Sequence, residues 1–278
     1  MGALLALGSA VAFGVSDFFG GLGSRRGGAF SVTVLAQFAG GMALAAIIWL
    51  LPGTPDGTSM AWGVLAGVGG GLGLVCYFRA LAIGPMSIVA PMTSALAAAV
   101  PLGWALSMGE RPGLTALAGI ALALVAVAVV TYEGRGRAEP STVLRSAPFA
   151  LAGAVGFGIF LLAVPQTAPS SGLWPLLVAR GVSAPLILLA GVAMGRVLRA
   201  EPGVMRIALI SGVLDMVGNA LYLWATRQGL LSIAVVLASL TPIPTVLLAA
   251  GVLKERLRIQ QVAGVLMALA AIVLLAIA

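Results

Sequence analysis

Asp215 and Arg180 are the residues of this chain best placed to do chemistry. Each falls near the middle of a long apolar run. A charge at that depth in a membrane costs about 2.5–3.5 kcal/mol and must face the protein interior or water. At helical spacing, Ser211, Asn219 and Tyr222 share a stripe with Asp215, at i−4, i+4 and i+7. Such a stripe could bind a zwitterion or a proton. Arg180 and Asp215 could equally form a buried pair that braces the bundle. The two readings are compatible, since a pair that opens does both. Asp17, beside Ser16, is a second carboxylate in an apolar run; it could take a proton or a substrate amine, or reach Arg25 or Arg26 at the interface. Gln37 stands in the second run where Arg180 stands in the seventh, at an offset of 143. A lone intramembrane glutamine is more often glue between helices than a ligand contact.

No enzymatic constellation accompanies these residues. The chain has no histidine, so a site titrating near neutral pH must use shifted carboxylates. There is no GxSxG, no HExxH and no metal-ligating set, and the GxG patterns near Gly69 follow no strand. No cofactor is expected. The single cysteine, Cys76, excludes an internal disulfide.

The elements that must position these groups are membrane spans. Apolar residues make up 61% of the chain and charged ones 8%, against roughly 25% charged in a soluble domain. Such a surface cannot face water. The apolar runs are long and continuous, which fits helices and not the alternating strands of a barrel. Ten spans are expected, at 2–22, 29–51, 60–82, 85–108, 112–132, 146–164, 172–195, 204–226, 230–253 and 259–278. No cleavable leader is expected, because the first apolar run starts at Gly2 with no basic region before it. The net charge of +7 is scattered through short loops and does not point to nucleic acid.

The chain is written twice. At a constant offset of 145, Gly84 falls on Gly229, Ser87 on Ser232, Ser94 on Ser239, Glu110 on Glu255 and Tyr77 on Tyr222. The halves are 1–132 and 146–278, joined by a linker at 133–145. Five spans carry each half across the membrane, so the second half starts from the opposite side. The expected fold is an all-α membrane protein, a 5+5 inverted repeat of transmembrane helices around a central cavity, an arrangement typical of secondary transporters.

Other features follow the repeat. Gly63, Gly67 and Gly71 recur every four residues as a packing seam; a glycine face could also give room to a cavity. Pro91 and Pro101 in the fourth span match Pro242 and Pro244 in the ninth as helix kinks. Thr93, Ser94, Ser239 and Thr241 lie nearby and could supply hydroxyls to the freed carbonyls. Kinks in matched spans either point to the central site or only improve packing. Glu110–Arg111 and Glu255–Arg256 end matched helices, where local pairing or capping is expected. The odd-numbered connections carry twelve basic residues and the even-numbered ones two. The positive-inside rule then puts the odd connections in the cytoplasm and both termini outside.

GERPGLTALAGIALALVAV after the fourth span and KERLRIQQVAGVLMALAAIVLL after the ninth resemble the drug/metabolite transporter superfamily, in particular its EamA-type (RhaT-like) members. The likeness covers nearly the whole chain. It implies a permease of the bacterial inner membrane that exports amino acids or other small metabolites without ATP. It also implies that the third, fourth, eighth and ninth spans line the path, which here selects Tyr77, Thr93, Ser94, Asp215, Asn219, Tyr222, Ser239 and Thr241. Members of that family are drawn with cytoplasmic termini, opposite to the loop charges. The partners expected are a small-molecule solute, membrane lipid and, as an open alternative, protons. Multidrug or cation efflux and a non-transporting lipid-handling role are the competing readings.

Overall fold

The computed structural model describes residues 1–83, 86–130, 140–199, 201–252 and 259–276. Every regular element among them is a helix. A chain in lipid must pair its backbone N–H and C=O groups within itself, which a helix does. In order these are α1 (Gly2–Gly27), α2 (Ala29–Ile47), α3 (Gly57–Ile83), α4 (Met86–Ser107), α5 (Leu114–Val130), α6 (Pro140–Ala163), α7 (Trp174–Ala193), α8 (Pro202–Thr226), α9 (Leu231–Ala238), α10 (Pro242–Val252) and α11 (Ile259–Ala276). Six helices, α1, α2, α3, α6, α7 and α8, are long and apolar enough to cross a membrane on their own. The fourth, fifth and tenth spans supply shorter apolar helices.

The ninth span differs from the continuous helix expected at 230–253. It is interrupted at Ser239–Thr241, so α9 and α10 are separate pieces. Its repeat partner, α4, runs unbroken through Pro91 and Pro101. Spacing explains the difference. Pro242 and Pro244 remove two N–H donors within one turn, whereas Pro91 and Pro101 are nearly three turns apart.

The helices pair by exchange between the halves. α3 lies along α6 and α1 along α8; α3 also meets α7 as α2 meets α8; α4 packs on α6 as α1 packs on α9 and α10. These are equivalent contacts under a two-fold that swaps the repeats. Helices matched to each other, α2 with α7 and α5 with α11, meet directly. The last pair uses matched alanines, Ala123 and Ala126 against Ala268 and Ala271, all fully buried.

Glycine seams make the crossings close. A Cβ on Gly63 would fall 2.6 Å from the Pro175 carbonyl oxygen, and one on Gly67 2.6 Å from that of Ala179. Gly71 faces Ser183 in the same stripe. The second half repeats the contact, with Gly212 against the Ala36 carbonyl. Small residues let backbones approach and gain dispersion contacts that lipid cannot outcompete.

The connections alternate between two faces. On one, Thr54 donates its N–H to the Ser170 carbonyl (2.9 Å), Ala168 N–H donates to Ser59 Oγ (2.9 Å), and Arg227 donates to Thr167 and Ala168. Trp49 and Trp174 meet edge to face there, with ring centroids 4.9 Å apart. Asp56 caps α3 by accepting from Ser59 N–H (2.9 Å), and its hydrogen bonds with Ser59 hold its carboxyl below the usual carboxylate range. On the opposite face, Arg199 N–H donates to Ser31 Oγ (2.9 Å). The first set joins the even-numbered connections; the second ties the seventh connection to the start of α2.

The seam can be tested by adding bulk. Gly67→Val places methyl groups against Ala179 and Val182 and is expected to cost about 1–3 kcal/mol, read as a lower thermal midpoint in detergent. Gly181→Ala, where a Cβ meets nothing within 4 Å, is expected not to lower the midpoint.

Candidate functional site

The polar residues of the spans gather where α1, α2, α7 and α8 converge. Arg180 of α7 donates Nη1 to Gln37 Oε1 on α2 and Nη2 to Asp215 Oδ2 on α8. Asn219, one turn beyond Asp215, donates Nδ2 to the Asp215 carbonyl (2.8 Å) and to its carboxylate (3.1 Å). Gly41 opens the room that the Arg180 side chain occupies. Gln37 and Arg180, matched positions of the two repeats, therefore touch each other near the pseudo-two-fold. The Arg180 side chain is 12% exposed and that of Asp215 35%, so the pair sits at the wall of an opening.

Asp17 completes the opening. It lies in the interior of α1 yet is exposed, and it has no ion pair among the described residues. Asp17 is within electrostatic reach of Asp215 on α8 and of Tyr77 on α3. An accessible carboxylate within reach of groups on α3 and α8 marks a candidate cleft between those helices. Tyr77 stacks edge-on against Phe157, with centroids 5.6 Å apart. Beside Asp17, Ser16 and Ser211 fasten α1 to α8: Ser16 Oγ donates to the Ser211 carbonyl (2.8 Å) and Ser211 Oγ to that of Ser16 (2.9 Å).

The break in the ninth span borders this cleft. α1 passes it at Gly14, whose absent Cβ would fall 2.7 Å from the Thr241 carbonyl oxygen. Thr245 Oγ1 donates to the Gly14 carbonyl (3.0 Å). Asp17 is one helical turn away along α1. The freed carbonyls are accounted for locally. Pro242 cannot donate to the Ala238 carbonyl, and Thr241 Oγ1 does so instead (2.8 Å). Pro244 cannot donate to that of Leu240, and Ile243 N–H takes its place (3.0 Å). Ser239 Oγ donates to the Val236 carbonyl (2.8 Å).

Several residues singled out from the sequence lie elsewhere. Tyr222, expected along the path, is fully buried, and its hydroxyl donates to the Leu161 carbonyl (2.7 Å). Pro165 leaves that carbonyl without its helical donor, so Tyr222 is a brace between α8 and α6 and not a wall of the cleft. Thr93 is 1% exposed, with no partner for its hydroxyl among the described residues. Pro101 is buried within α4. The side chains of Pro91, Ser94 and Pro242 lie outside the described residues. Glu110 does cap a helix, but not locally: its carboxylate accepts from Leu231 N–H (2.8 Å) and Ser232 N–H (3.1 Å) at the start of α9 in the other half. Glu255 lies outside the described residues. Sequence reasoning missed Gly14 and Thr245. The signal for Thr245 was a hydroxyl residue in the first turn after a proline pair; Gly14 gave none.

The EamA-like transporter family matches this chain twice, over residues 1–132 and 144–277. Among curated proteins, none matches. A solved crystal structure has the same fold, with a TM-score of 0.78 at 18% identity, over 98% of this chain and 95% of the other.

The Arg180 network is testable by stability. Asp215→Leu leaves Arg180 without its counter-charge, which costs about 3–5 kcal/mol for fully buried pairs. Because Asp215 is partly exposed, the loss expected here is at or below about 3 kcal/mol. The double variant Arg180→Met with Asp215→Leu is expected to recover most of it in thermal unfolding.

Proposed function

The chain belongs to the EamA-like transporter family, and on that premise we propose that it exports a small amino-acid-like metabolite by alternating access. The observation that carries the substrate class is the composition of the cleft. Arg180 offers a guanidinium, while Asp215 and Asp17 offer carboxylates, all at one opening within the bundle. A zwitterion fits by exchange of partners. Its carboxylate takes the place of Asp215 on Arg180, and its ammonium takes the released Asp215 or Asp17. The exchange then leaves no more unpaired charge than before, in a medium where an unpaired charge is costly.

The inverted repeat supports the mechanism. Two halves related by a two-fold can exchange which face is open by rocking about a fixed central site. The bias of basic residues supports an orientation with the odd-numbered connections in the cytoplasm of a bacterial cell and the even-numbered face outside. Protons are a second use of the cleft carboxylates. One observation favours cation efflux as a rival: Asp17 has no cationic partner among the described residues, so the cleft carries more carboxylate than guanidinium.

Proteoliposome flux of amino acids, organic cations and neutral sugars separates these readings. Amino-acid flux, reduced at least about tenfold by Asp215→Asn through loss of a charge-assisted contact, is the expected result. Amino-acid flux unaffected by Asp215→Asn would remove that residue from the mechanism, and flux of organic cations alone would replace the substrate class.

A further inference from the structure

The grip of Glu110 on α9 is a stronger device than a helix end needs. The residue before α9 is Leu230, which has no capping side chain, so the first N–H groups of α9 depend on a donor-seeking group from elsewhere. Glu110 reaches them from 121 positions away and uses both carboxylate oxygens, on Leu231 and Ser232. Its own placement is rigid. Gly109, at φ 94°, ends α4, and Glu110 N–H returns to the Ala105 carbonyl (3.0 Å) while Met108 N–H bonds that of Trp104 (2.9 Å). This wrapped turn requires a left-handed residue, which glycine adopts without strain. The charge also meets the positive end of α9, and charge-assisted hydrogen bonds are among the strong ones.

Position makes this contact functional. α9 is the half of the broken span that leads from the even-numbered face to the break beside the cleft. Glu110 belongs to the other repeat, at the end of α4. The contact therefore closes the even-numbered face between the two matched spans, and that face cannot open between α4 and α9 while it holds. Arg111, its neighbour, is exposed and takes no part. Ser232 Oγ, fully buried at the same place, has no partner among the described residues.

We propose that Glu110 is a latch of the transport cycle, made with the Leu231 and Ser232 N–H groups when the even-numbered face is closed and released when it opens. The inference rests on alternating access and not on the substrate. The sequence carries the same pair again as Glu255 and Ser87, whose side chains lie outside the described residues. In the second repeat Lys254 stands where Gly109 stands in the first.

The test uses spin labels at Met108→Cys and Gln228→Cys, both exposed on this face, in a Cys76→Ala background in lipid nanodiscs. Electron–electron double resonance reads the distance between α4 and α9 with no solute needed. Glu110→Ala is expected to raise a longer-distance population about tenfold or more, by removing two charge-assisted contacts from one state only. Glu110→Gln, which keeps one acceptor and folds if the alanine variant does not, is expected to raise it less. Arg111→Ala is expected to leave it unchanged. Distances unaltered by both Glu110 variants, or altered equally by Arg111→Ala, would overturn the latch. Because no substrate enters the measurement, such a result would leave the substrate class standing, and a wrong substrate class would leave the latch standing.

Discussion

In lipid no water stands ready to accept from an N–H or donate to a C=O, and an unpaired one costs several kcal/mol. That constraint organises this molecule. Where the described helices break at Pro165 and at Pro242 and Pro244, a side chain or a shifted backbone donor takes over. Tyr222 serves the carbonyl that Pro165 leaves open, Thr241 serves the one that Pro242 leaves, and Ile243 serves the one that Pro244 leaves. Glu110 serves the N–H groups at the start of α9. Each substitution links parts of the chain that an intact helix would leave independent. Tyr222 ties α8 to α6, and Glu110 ties one repeat to the other.

The same constraint explains why the polar residues cluster. A buried guanidinium needs acceptors, and Arg180 finds them on two neighbouring helices. Gly41 makes the space, and the close α2–α8 approach at Gly212 brings Gln37 and Asp215 to the same side chain. The broken ninth span then sits against α1 at Gly14, one turn from Asp17. Breaks in regular backbone and intramembrane charge thus share one neighbourhood, the pattern expected where a membrane protein lines a wet path.

The sequence showed the architecture almost whole, because the physics that sets it is written in local pattern. Runs of apolar residues set the spans, and the offset of 145 set the two-fold. Buried charge is also legible, since Asp215 and Arg180 stand out wherever they pair. Side-chain direction is not. Tyr77 and Tyr222 are matched in sequence, yet Tyr222 serves a carbonyl of α6 while Tyr77 lies within reach of Asp17. Only the presence of Pro165 on a helix far away in sequence decides that. The reach of Glu110 across the halves was hidden for a similar reason: an N-terminus lacking its own cap announces a need, but not which residue meets it.

A wet cleft beside the broken span requires that Asp17 face water inside the bundle. It is tested most directly by Asp17→Cys in a Cys76→Ala background, challenged with water-soluble, membrane-impermeant thiosulfonate reagents. The thiol is expected to be modified from one aqueous face of sealed vesicles. Modification only by lipid-soluble reagents, from neither face in particular, would contradict it.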